Sequence, residues 1–275
     1  MKTKTIAVAN RKGGIGKTTT SIALASIMRE WGYKTLLIDS DSSMNASNTY
    51  GVDKYSLPHK IKNLYDVFLE EDERQVKAID AIQHTKYGDI IAGSQKLEKG
   101  EVILALDSLY GLRRFKIALD ELKQNTNYDF IIIDTNPLIN NVLRSVLVAA
   151  DEVIVPITAD GYGMLGIDDL SKTIKDIKKL YNPNLKTAGI LLVRYLQRTV
   201  LAQTMKEDIK ELSTIYESIV FNSAIRECNS VREAQTALMP LNEYSKNCIT
   251  NLDYKDFIRE YLSLSNIKIK EGAKK

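Results

Sequence analysis

Lys12-Gly13-Gly14-Ile15-Gly16-Lys17-Thr18-Thr19-Thr20 decides the fold, because it follows the apolar run Ile6-Ala7-Val8-Ala9 and leads directly into Ser21-Ile22-Ala23-Leu24-Ala25. That order reads strand, glycine loop, helix. A phosphate held there meets the backbone N–H groups of the loop and the positive end of the helix dipole, with Lys17 as a mobile cation and the Thr18 hydroxyl available to Mg²⁺. The common phosphate-loop pattern places a glycine five residues before Gly16, and position 11 is Arg. The glycines stand at Gly13 and Gly14 instead, and a second lysine, Lys12, opens the loop. The alternative is an ordinary glycine-rich turn. Three glycines, two lysines and Thr18, in register between the two elements that phosphate binding needs, weigh against it.

The chain has 275 residues, enough for a substantial core, and one α/β domain over 1–265 is expected, followed by a basic, mobile tail over 266–275. No run approaches the ~18 consecutive apolar residues of a membrane span, and the opening MKTKTIAVANRK lacks a signal-peptide layout, so a soluble cytoplasmic protein is expected. Cys228 and Cys248 are too few for a disulfide framework and lack zinc-site pairing; two free thiols are expected. The net charge of +3 is too small to identify a nucleic-acid partner by itself. His59 and His84 are isolated and receive no role.

Farther along, Thr35-Leu36-Leu37-Ile38-Asp39 is a short apolar run closed by an acid, which suits a strand buried on both faces of a parallel sheet. The polar loop Ser40 to Ser47 then starts at the same sheet edge as the glycine loop, and ligands bind at that edge in open α/β sheets. Asp39 and Asp41 are therefore site candidates, with helix capping and turn formation as the other reading. Helical spacing covers Ile61 to Leu69, a strand covers Gly88 to Gly93, and Glu70-Glu71-Asp72-Glu73 reads as a solvated turn. Helical patterns follow around Leu97 to Leu109 and Leu112 to Lys123. Tyr128 to Asp134 is the clearest strand and ends in a second strand-terminal aspartate, able to hold a Mg²⁺-bound water while Thr18 supplies the direct ligand, or else to cap the next helix. Strands at Asp151–Pro156, Ala188–Val193 and Ser218–Phe221 and helices at 163–180, 200–212 and 253–264 complete an alternation that calls for one doubly wound, mostly parallel sheet with helices on both faces.

The loop Lys12-Gly13-Gly14-Ile15-Gly16-Lys17-Thr18 is similar to the deviant phosphate loop of the ParA/MinD ATPase class, and the likeness to ParA/Soj-type partition ATPases extends through three further blocks. Leu36 to Ser43 resembles the family motif LLIDxDPQ, with Ser42-Ser43 in place of Pro-Gln. Asp134-Thr135-Asn136-Pro137 resembles DxPP with one proline missing, and Asp160 to Gly166 resembles EYYALEG without its second acid. Leu192 to Thr199 resembles a segment in which an arginine contributes to non-specific DNA binding, a place taken by Arg198. Ile225 to Ala234 resembles IPRNVRLSEA, with Arg226 and Arg232 flanking the position of the family's second arginine.

The resemblance implies an ATP hydrolase with ATP and Mg²⁺ as cofactors. The nucleotide set would be Lys12, Gly13, Gly14, Ile15, Gly16, Lys17, Thr18 and Thr19 with Arg226, and the metal set Thr18, Asp39 and Asp134. Lys12, Lys17 and Asp41 would carry catalysis, Asp41 by orienting the attacking water. It implies an ATP-dependent homodimer in which each Lys12 reaches the other subunit's phosphates, non-specific DNA contact through Arg198, Arg226 and Arg232 on the nucleoid, and a ParB-like centromere-binding partner that stimulates slow hydrolysis. A MinD-like membrane positioner needs an amphipathic C-terminal helix, and Asn266-Ile267-Lys268-Ile269-Lys270 has only two apolar residues, so a membrane partner is not expected. A nitrogenase-iron-protein-like enzyme needs cluster cysteines in another block, and a binding module without hydrolysis remains the reading that Ser42-Ser43 leaves open. With few residues ahead of the first strand, no N-terminal helix-turn-helix is expected.

Overall fold

Strands and helices alternate in the computed structural model, which describes residues 2–52, 61–68, 76–107, 110–158, 167–195, 213–214, 216–270 and 272. The order is β1 (Lys4–Val8), α1 (Lys17–Glu30), β2 (Thr35–Ser40), α2 (Asn45–Thr49), α3 (Leu64–Phe68), β3 (Ile82–Thr85), β4 (Gly88–Ile91), α4 (Leu97–Leu106), α5 (Arg114–Asn125), β5 (Phe130–Thr135), α6 (Asn141–Ala149), β6 (Glu152–Thr158), α7 (Ile167–Leu180), β7 (Lys186–Tyr195), β8 (Val220–Arg226), α8 (Asn229–Thr236), α9 (Leu241–Tyr244) and α10 (Ile249–Leu264). The strands form one eight-stranded sheet in the order β3-β4-β2-β5-β1-β6-β7-β8. Every pairing is parallel except the β3–β4 hairpin at one edge.

Successive strand residues point to opposite faces, so continuous apolar runs feed two cores. Ile6, Val8, Leu37, Ile132 and Ile154 lie under α1 and α10 with Ile27, Phe257 and Tyr261. Ala7, Leu36, Ile38, Ile131, Ile133 and Val153 face the other side, under α5, α6 and α7 with Leu119, Val146 and Leu170. The register places the site: Val8 lies opposite Asp134 across β1–β5, and Asp39 lies opposite Asp134 across β2–β5. Three strands therefore end at one level, and the loops that leave them converge.

The strand read at Gly88 is present as β4, and it has an antiparallel partner, β3, that escapes sequence reading because its Gln83 and His84 give no apolar run. Two expectations are corrected. The last strand continues to Arg226 rather than stopping at Phe221. Residues 266–270 are docked rather than mobile: Ile267 and Ile269 pack on the α1–α10 core, Tyr33 Oη donates to the Lys268 carbonyl at 2.7 Å, and Lys270 Nζ reaches the Gly32 carbonyl at 2.8 Å and Asp129 at 2.9 Å. The helix at 200–212, the acidic turn at 70–73, His59 and the segment 160–166 lie outside the described residues. No described helix is long and apolar enough to cross a membrane.

Candidate functional site

The glycine loop closes over the end of β1. Gly14 and Gly16 have φ of 72° and 90°, left-handed values that a Cβ makes costly, and they bend the loop so that its N–H groups can converge. The helix α1 begins at Lys17 with no side chain capping it and no acid in its first turn, leaving its positive end available to an anion. The loop's start is pinned by buried Asn10, whose Nδ2 donates to the Pro156 carbonyl at 2.8 Å while its Oδ1 accepts from Lys12 N at 3.0 Å. Val193 supports the other end, its Cγ2 lying 3.9 Å from where a Cβ on Gly16 would be.

Lys17 is buried in the loop and its Nζ donates to the Lys12 carbonyl at 2.9 Å. Burial lowers its pKa, while Asp134 and Asp41 oppose that shift. Lys12 itself is half-buried at the loop's outer end.

The three acids differ in what surrounds them. Asp134 is completely buried; Ser21 Oγ donates to its Oδ1 at 3.0 Å, the nearby Thr18 hydroxyl favours the charged carboxyl, and among the described residues Oδ2 has no partner. Burial raises its pKa and the Asp39 carboxyl raises it further. An orphaned carboxylate oxygen beside the Thr18 hydroxyl is a donor set of hard oxygens that fits Mg²⁺. Asp39 is equally buried, but Ser47 fills its Oδ2, with N at 2.8 Å and Oγ at 2.6 Å, and Asp41 N takes Oδ1 at 3.1 Å. Burial raises its pKa and the Ser47 bonds work against that rise. In this state Asp39 holds the loop and α2 in place. Asp41 is only partly buried, faces the cleft, and accepts from Ser43 N at 2.9 Å.

A cleft of about 640 Å³ opens beside the loop, lined by Gly13, Lys17, Thr18, Thr19 and Asp41 together with the apolar side chains of Ile22, Val231, Leu238, Met239 and Tyr254. Charged, polar and apolar groups share its wall, which suits a phosphate-bearing ligand with an apolar body. Arg226 and Arg232 both line this cleft. Arg226 is held by Asp253, whose Oδ2 accepts from its N and its Nε at 2.9 Å, and Arg232 is exposed and pairs with Glu227 at 3.2 Å. Arg198 lies outside the described residues. Cys228 lines the cleft too, as a free thiol within hydrogen-bonding reach of Cys248. Sequence reading missed Asn10, Ser21, Ser47 and Arg194. Of these, Ser21 sits one turn beyond Lys17 on α1, a spacing that could have found it; the others depend on distant partners.

A family model described as AAA domain matches residues 3–187. The chromosome partitioning protein ParA of Caulobacter vibrioides is 29% identical over 262 residues, 94% of each chain. The sporulation initiation inhibitor protein Soj of Bacillus subtilis is 31% identical over 221 residues, 79% of this chain and 83% of Soj. Among solved structures, cobyrinic acid a,c-diamide synthase from Mycobacterium smegmatis with bound ATP analog and magnesium superposes with a TM-score of 0.79 at 26% identity, over 94% of this chain and 93% of that one.

Proposed function

This chain belongs to the AAA-domain family, with the ParA/Soj-type P-loop ATPases, and from that premise we propose that it is an ATP-dependent DNA-partition ATPase acting as a nucleotide-controlled dimer. The observation that carries this reading is the join of two lysines to three carboxylates. Lys17 is buried in a preformed nest, Lys12 stands at its outer end, and Asp39, Asp41 and Asp134 return to the same sheet edge.

In the proposed cycle ATP binds with its phosphates in the loop from Lys12 to Thr19, and Lys17 exchanges the Lys12 carbonyl for a phosphate oxygen. Thr18 and Asp134, with Asp39, would hold Mg²⁺, which would supply charge neutralisation on the phosphate oxygens. Asp41, on the cleft side, orients the water for in-line attack. Lys12 of a second copy reaches the same phosphates and adds transition-state charge compensation. The closed dimer binds DNA without reading sequence, through Arg198, Arg226 and Arg232, and a ParB-like partner stimulates slow hydrolysis and release. Such a protein works in the cytoplasm on the nucleoid. A lipid-anchored alternative has less support, since Ile267 and Ile269 are packed against the body of the protein.

Size-exclusion chromatography with and without Mg-ATP tests the core of this reading. The expected result is a dimer with Mg-ATP that Lys12→Ala abolishes while monomer ATP binding persists. A wild-type chain that stays monomeric with Mg-ATP, or a Lys12→Ala chain that still dimerises, overturns it.

A further inference from the structure

Two residues at the end of β7 stand beside the phosphate loop. Val193 Cγ2 lies 3.9 Å from where a Cβ on Gly16 would be, and the next residue, Arg194, donates from Nη1 to the Gly14 carbonyl at 3.2 Å, across 180 positions of sequence. The other arm of the same guanidinium, Nη2, is held by Glu227 at 3.2 Å, and Glu227 also takes Arg232 at 3.2 Å. Arg194 reaches this place with φ of 56°, a left-handed conformation rare for a side chain of its size, where the β7–β8 register breaks between Val193 and Tyr195.

We infer that Arg194 is a positioning residue for phosphate binding: it fixes the orientation of the Gly14–Ile15 peptide in the loop. This inference rests on the reading of the loop as an ATP site. The peptide is trans, so its C=O and N–H point in opposite directions. Holding the Gly14 carbonyl toward Arg194 therefore aims the Ile15 N–H away from Arg194. Rotation of that peptide changes ψ of Gly14 and φ of Ile15; Gly14 has no Cβ to resist its part of the turn, so the Arg194 bond adds a hold that the glycine side does not supply. A loop whose N–H groups are already aligned binds phosphate without first being ordered, and Arg194 supplies that alignment from β7.

Arg194→Gly separates this role from ordinary structural support. Glycine suits the left-handed backbone and removes the guanidinium, so thermal stability should hold or rise. By isothermal titration, Kd for Mg-ATP and for inorganic pyrophosphate, which carries phosphates without a base, should both rise about tenfold. Arg194→Lys should recover part of the loss, and Glu227→Gln, which frees one arm of the arginine, should show a smaller loss for both ligands. Wild-type affinity for both ligands in Arg194→Gly, or a fall in stability with affinity unchanged, overturns the inference. Failure of the wild-type protein itself to bind Mg-ATP overturns the ATPase reading instead.

Discussion

Lys17 Nζ donates to the backbone carbonyl of Lys12, 2.9 Å away, so the two lysines of the phosphate loop are joined through the side chain of one and the main chain of the other. The buried ammonium is thus already satisfied before any ligand arrives, and a phosphate must take over that bond. Removing each lysine should have a different effect. Lys17→Ala removes a charge-assisted bond to the phosphates and should weaken ATP binding by about 10- to 100-fold. Lys12→Ala leaves the Lys12 carbonyl in place and should change monomer affinity less than about threefold while abolishing dimerisation with ATP. Fluorescent-nucleotide titration of both variants checks this, and equal losses in the two would show that Lys12 acts within its own subunit.

Asp41 lies on the cleft wall, partly exposed, and its carboxylate accepts a hydrogen bond from the Ser43 N–H. Asp41→Ala should therefore fold normally and bind Mg-ATP, yet lose hydrolysis by about 100-fold or more, because positioning the water is the protein's main task in phosphoryl transfer. Trapping of an ATP-bound dimer should follow. Steady-state phosphate release measured alongside ATP affinity decides the matter, and a variant that hydrolyses at the wild-type rate rejects Asp41 as the orienting acid.

Asp134 should give opposite signs for stability and function. Its carboxyl is completely buried, with Oδ2 unpartnered, and burial together with Asp39 disfavours its charged form. Asp134→Asn keeps the shape and removes the charge, so the nucleotide-free protein should be as stable or more stable, by about 1 kcal/mol. Stabilisation by Mg-ATP should disappear in the same variant, because the anionic oxygen that fits the metal is gone. Thermal melts with and without Mg-ATP measure both effects, and a destabilised apo variant contradicts the account of the orphaned oxygen.

The parallel strands and the convergence of loops were legible because their signals are local: unbroken apolar runs closed by Asp39 and Asp134, and a glycine loop between a strand and a helix. What escaped depends on partners distant in sequence. The α2 sequence Asn45-Ala46-Ser47-Asn48-Thr49 is a poor helix former; the bonds from Ser47 to Asp39 hold it in place. The docking of Lys268 and Lys270 depends on Tyr33, on the far side of the chain. Arg194 stood in a stretch whose resemblance drew attention to Arg198, and only the fold brings its guanidinium to Gly14. Asp39 and Asp134 look alike as strand-ending acids, and burial alone does not separate them. Their hydrogen-bond partners do, since Ser47 fills one carboxylate and leaves the other open.

Cys228 gives a chemical probe of occupancy. Its thiol lines the cleft between the phosphate loop and α8, while Cys248, at the start of α10, is absent from that lining. Bound ATP should slow alkylation of Cys228 by a maleimide about tenfold and change Cys248 less. Peptide mass mapping after timed labelling reads the two sites separately, and a Cys228 rate that ignores saturating Mg-ATP shows that the nucleotide does not extend along this wall.

Ser47 tests whether Asp39 is held as the geometry indicates. Its hydroxyl donates to Asp39 Oδ2 at 2.6 Å and accepts from Gly93 N at 2.9 Å, and all three groups are buried. Ser47→Ala orphans the Gly93 N–H and leaves Asp39 Oδ2 with the Ser47 N–H alone, so unfolding free energy should fall by about 1–3 kcal/mol. Ser42→Ala, five residues earlier, loses only an exposed bond to Glu98 and should change stability by less than about 0.5 kcal/mol. Urea denaturation of the pair makes the comparison internal to one loop. Equal, small effects would mean that Asp39 does not depend on Ser47 and is free to turn toward the metal, whereas the large difference expected here leaves Asp134 as the acid with an oxygen to offer.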